Sequence, residues 1–112
     1  MNANDRLRHY HSSNVRHKHP FGFWFTEGVK ALCDEFRTYW LLDVIVSHQL
    51  TLKNEEFQVW TLKKLEDSSV IIKCTDGNNK ILKQQHIDFT DFKADKATLW
   101  CVNHVILLPS EY

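Results

Sequence analysis

The stretch FQVWTLKKLEDSSVIIKCTDGNNKILKQQHI, residues 57–87, decides the fold. Apolar and polar side chains alternate through 57–65 and again through 69–75, the period of a strand with one face turned to a core. Glu66, Asp67 and Ser68 join the two runs as a hairpin. Asp76, Gly77, Asn78 and Asn79 tolerate positive φ and predict a second turn, after which KILKQQHI (80–87) returns as a third strand.

Working toward the C-terminus, DFTDFKAD (88–95) reads as a connection with room for a short helical turn. ATLWCV (97–102) and VILLP (105–109) read as two strands, or one bent strand, around Asn103 and His104. Toward the N-terminus the period changes. Thr26 is placed to cap a helix, with Glu27 in its positive first turn. Val29, Leu32, Cys33 and Phe36 recur at helical spacing behind it. Tyr39 to Leu50 predicts a second helix that is apolar around most of its circumference, with Asp43 and Ser47 sharing a narrow polar stripe. Arg37 and Thr38 mark either a kink or the middle of one continuous helix. The expected architecture is α+β, two N-terminal helices packed on an antiparallel sheet of four to five strands.

At 112 residues the chain is one domain in length, and 43% apolar with 12% aromatic content is too much core for a disordered chain. Residues 1–20 differ from the rest. They show neither period, and read as a flexible, basic, histidine-rich arm before a single domain over 21–112. Fourteen cations balance fourteen acids overall, yet in this arm Arg6, Arg8, Arg16 and Lys18 stand against Asp5 alone. Phe21, Gly22, Phe23, Trp24 and Phe25 follow directly, too apolar to remain in water, so this segment folds back on the body or meets a partner.

Cys33, Cys74 and Cys101 are odd in number and far apart, which reads as three reduced core thiols in a cytoplasmic protein. The N-terminus lacks the apolar run of a leader, and Tyr39–Val46 is too short to cross a bilayer, so no membrane partner is expected. His9 with His11 and His17 with His19 put two imidazoles each on one side of an extended chain. A histidine-only set on a loose arm leaves its ligands unpositioned, so no metal or other cofactor is expected. Asp43 reads as a stripe residue or an ion-pair partner rather than a perturbed catalytic acid. Cys101 and His104 point to opposite faces if the strand continues between them. No nucleophile elbow, phosphate-binding glycine loop or paired carboxylates are present, and no catalytic residue is assigned.

The arm and its aromatic run carry the functional expectation. Arginine beside tryptophan and phenylalanine is the composition of protein-binding hot spots, which nominates Arg6, Arg8, Arg16, Lys18, Phe21, Phe23 and Trp24 as partner-binding residues. The same cations could neutralise phosphates while Tyr10, Phe23 or Trp24 stack on bases, so direct RNA or DNA contact through the arm is the alternative. An enzyme, with a cleft joining Asp43 or Cys101 to a histidine, is the third.

The segments FTEGVKALCDEFRTYWLLDVIVSHQ (25–49), FQVWTL (57–62), CTDGN (74–78) and LLPSEY (107–112) resemble a family of small uncharacterised bacterial domains found in Bacteroidetes and on mobile elements. Relatives carry small residues where Glu35, Phe36 and Arg37 stand. The resemblance implies no catalytic residues. By analogy it raises a class of non-enzymatic inhibitors of bacterial defence. One example is an anti-CRISPR-type protein that binds an RNA-guided nuclease effector or its guide RNA complex.

Overall fold

The computed structural model describes residues 2–10, 16–88 and 90–112. Among these, the chain forms α1 (Ala3–Arg6), β1 (Arg16–Lys18), β2 (Trp24–Thr26), α2 (Glu27–Phe36), α3 (Tyr39–Ser47), β3 (Phe57–Lys64), β4 (Val70–Thr75), β5 (Ile81–Ile87), β6 (Lys96–Val102) and β7 (Val105–Leu107). Short 3₁₀ turns at Gln49–Thr51 and Pro109–Glu111 complete it. The strands make one sheet in the order β1-β2-β7-β6-β3-β4-β5.

This corrects the expected architecture. The sheet has seven strands rather than four or five, and it is mixed: β2 runs parallel to β7, with Trp24 beside Val105 and Phe25 beside Ile106. The helix pair is not N-terminal either, since α1, β1 and β2 precede it. The reason lies in length. Three-residue strands such as Arg16–Lys18 are too short to show a period, and β2 is embedded in an aromatic run without alternation.

The hairpins are where the alternation put them. Gln58, Trp60 and Leu62 of β3 point inward with Val70, Ile72 and Cys74 of β4 and Ala97, Leu99 and Cys101 of β6, and all are buried. Val29, Leu32, Cys33 and Phe36 of α2 and Leu41, Leu42 and Ile45 of α3 join the same core. Burying such a side chain contributes about 1.5–3 kcal/mol. The opposite face of the sheet carries Val59, Thr61, Lys63, Lys73, Thr98 and Trp100, each half-buried or exposed.

Two helices, not one, occupy 27–47. Arg37 adopts φ 56° and ends α2 as a left-handed cap, with Thr38 N–H donating back to Cys33 O at 3.2 Å. Asn103 and His104 both take positive φ, 51° and 69°, which closes β6 and β7 into a tight hairpin.

The N-terminal segment is tied down at several points. Ala3 and Leu7 are in the core. Where β7 stops short of the start of β6, Asn4 takes over the ladder: its amide donates to Thr98 O at 2.8 Å and accepts from Thr98 N at 2.6 Å. His11, Ser12, Ser13 and Asn14 lie outside the described residues, as does Phe89.

Candidate functional site

The residues nominated from sequence do not all meet. Arg16, Lys18 and Trp24 converge on the β1–β2 ribbon, where Lys18 pairs with Trp24 and Arg16 with Thr26. The Lys18 ammonium sits 5.9 Å from the centre of the Trp24 ring, within range of a cation–π contact. Phe21 is at the turn joining the strands, 76% exposed, and Trp24 is 40% exposed. Phe23 instead turns inward, 8% exposed, and packs against the His104 ring at 4.8 Å. Arg6 is at the far end of the nominated set and forms an ion pair with Glu35 of α2 at 2.7 Å. Arg8 lines a recess with Thr98, Trp100 and Pro109.

Two histidines of the N-terminal segment hold the ribbon in place. His17 Nε2 meets Glu27 at 2.7 Å and His19 Nε2 meets Asp43 at 2.8 Å. The Phe21 N–H donates to His19 Nδ1 at 3.2 Å, so that nitrogen carries a lone pair and Nε2 carries the proton given to Asp43. Both ring nitrogens of the buried His19 are thereby occupied, while Asp43 stands at the exposed end of the contact. The contact ties the 19–23 turn to α3. Asp43 thus lies on the polar stripe and accepts a hydrogen bond from a neighbouring histidine.

A cleft of about 320 Å³ opens beside the ribbon, lined by Phe23, Gln49, Glu55, Gln58, Cys101 and His104. Gln49 and Gln58 bond each other reciprocally at 2.9 Å, and Gln58 also accepts from Trp60 Nε1 at 2.9 Å, so these amides are committed to the core. Cys101 lies in the cleft wall, but burial pushes its thiol up to about 12. Cys33 and Cys74 are raised to about 12 for the same first cause. None of the three supplies a thiolate near neutral pH. Among the described residues, no three His, Cys, Asp or Glu side chains stand close enough to hold a metal ion.

Glu111, which sequence reasoning passed over, is the most enclosed acid of the described chain at 6% exposed. Its Oε1 accepts from Thr26 Oγ1 at 2.5 Å and from Leu108 N at 2.9 Å, and its Oε2 accepts from Gly28 N at 3.2 Å. A carboxylate at the start of α2 meets the positive end of the helix dipole. The segments Thr26-Glu27-Gly28 and Leu108-Pro109-Ser110-Glu111 are thus two halves of one lock. Its role is structural.

The chain belongs to the family of unknown function DUF6876, whose model matches residues 1–112. No curated protein and no solved structure matches it. Among the described residues, no helix is long and apolar enough to cross a membrane.

Proposed function

With membership of a family without an assigned activity as the premise, we propose that the protein is a non-catalytic binding module that grips a protein or ribonucleoprotein partner through the β1–β2 ribbon. One observation carries this reading. Phe21 and Trp24 are held exposed on an edge ribbon whose geometry is fixed by His17–Glu27 and His19–Asp43. Large exposed aromatics beside Arg16 and Lys18 are what interface hot spots are made of, and a preorganised ribbon loses little entropy on docking. β1 also stands at the end of the strand order, so its outer backbone edge is open to pairing among the described residues.

The narrower form of the proposal is an anti-CRISPR-type inhibitor, in which the partner is an RNA-guided nuclease effector with its guide. Replacing Arg16, Lys18, Phe21 and Trp24 together by Ala leaves the buried core untouched. The quadruple variant is expected to keep its circular dichroism spectrum and lose retention of the partner captured by the wild-type protein from its host, or of a purified guide-loaded effector. Unchanged retention of the captured partner by this variant would refute the ribbon as the contact.

A further inference from the structure

The overall charge of zero conceals a polarised molecule. None of the seven strands contains an Asp or Glu; all fourteen acids lie in helices, turns and connections. The strands instead carry Arg16, Lys18, Lys63, Lys64, Lys73, Lys83 and Lys96. On the sheet face turned away from the helices, Lys63 stands directly opposite Lys96 across β3 and β6, and Lys73 is one position diagonal on β4. Directly opposed side chains have Cβ atoms about 4.5–5.5 Å apart, and like charges so placed repel. Among the described residues none of these three lysines has an ion-pair partner. The fold bears this repulsion on a face where a single acid would relieve it.

Aromatic rings share that face. Phe57, Trp100 and Tyr112 pack edge to face, with Trp100 5.0 Å from Phe57 and 5.2 Å from Tyr112, and Tyr112 is 71% exposed. Lys96 and Trp100 lie on the same side of β6, about 13 Å apart at the rise of a strand. Beside Trp100 is a recess of about 410 Å³ that Arg8 and Asp5 border together.

We propose that this open sheet face binds single-stranded nucleic acid, with the phosphates along Lys63, Lys73 and Lys96 and the bases against Trp100 and Tyr112. Cations clustered on strands that contain no acid complement a polyanion, and rings on a sheet face stack on bases that a duplex would keep paired. A lipid surface would call for a cluster of aliphatic side chains among the cations; here Thr61 and Thr98 lie between them, with Ile71 the one aliphatic side chain there. The site shares none of the ribbon residues tested above, so either proposal can fail alone.

The test uses the full chain and fluorescein-labelled 15-nucleotide RNA and DNA of mixed sequence, read by anisotropy. Lys63→Glu replaces a repelling pair with an attracting one, so it is expected to raise the urea midpoint while weakening binding about tenfold and lowering the salt slope by about 0.7–1.4. Lys30→Glu on α2 is expected to change binding less than about twofold. Tyr112→Ser, at an exposed position, is expected to weaken binding severalfold. Three results would overturn the proposal: no binding at about 100 µM protein in 50 mM salt, equal loss in the Lys30 and Lys63 variants, or binding to phosphatidylserine vesicles but not to either oligonucleotide.

Discussion

Glu111 and Gly28, 83 residues apart, occupy the same space to the limit. The carboxylate accepts the Gly28 N–H at 3.2 Å, and a Cβ added at Gly28 would lie 2.7 Å from the Glu111 carboxyl and 2.8 Å from Leu108 Cδ1. Glycine is needed here for close approach and not for its backbone angles. Alanine is ordinarily the better helix former by about 1 kcal/mol, yet Gly28→Ala is expected to destabilise.

A double-mutant cycle checks this. Glu111→Ala leaves the Gly28 and Leu108 N–H groups without their acceptor and is expected to cost about 2–4 kcal/mol in urea unfolding. Gly28→Ala should cost clearly less in the Glu111→Ala background than alone, because the group it strikes is gone. Additive losses would show that the carboxylate does not set the limit at Gly28.

Arg37 ends α2 in the left-handed region at φ 56°, a conformation that costs a non-glycine residue about 1–2 kcal/mol. Its ion pair with Asp91 spans 3.6 Å between side chains 65% and 57% exposed, and such pairs contribute little. Arg37→Gly is therefore expected to stabilise the protein by about 0.5–1 kcal/mol, after the entropy glycine adds to the unfolded chain. A lowered urea midpoint would count against this account of the helix break.

The thiols of Cys33, Cys74 and Cys101 are held protonated by burial, each raised to about 12. At pH 8 a disulfide reagent should label all three rapidly in urea and none on the same timescale in the native protein. One fast native thiol would reveal an opening of the core.

Tyr39 OH donates to Asp34 at 2.5 Å, and Lys30 Nζ reaches the same carboxylate at 2.9 Å. Burial first, then Asp34, raises the phenol to about 12. This contact thus stabilises fully below pH 10 and loses its effect as pH rises toward 12. The hydrogen bonds from Tyr39 and then Lys30 lower Asp34, whose contribution is present above the ordinary carboxylate range and fades as pH falls through its native value. Tyr39→Phe should remove the component near pH 12 from the 295 nm titration and shrink the acid-side loss of stability. Exposure of Asp34 keeps the acid effect small.

The long alternating segments made the hairpins of β3, β4 and β5 legible, and Thr26 announced the start of α2, where its Oγ1 accepts from Val29 N at 3.3 Å. The parallel seam between β2 and β7 was not legible. It joins three-residue segments distant in sequence, and no local period encodes that register. Phe23 and Trp24 illustrate the same gap, since adjacent positions of one apolar run point to opposite sides and only one is available to a partner. The open face had a readable signal that composition averages away, namely that every predicted strand lacked acids. Glu111 had none, because its partners lie at the other end of the chain.

The seam between β2 and β7 also governs when the molecule can be finished. On the ribosome β2 is made early, but its parallel neighbour β7 emerges only after β3, β4, β5 and β6, followed at once by the Glu111 lock on α2. The aromatic ribbon must therefore wait, uncovered on one side, until β7 is made. A nascent chain of this protein acquires the β3–β4–β5 hairpins before the interior strand β7 that joins them, through β6, to the ribbon. Loss of the segment that carries β7 and Glu111 would strand β2 and α2 as well.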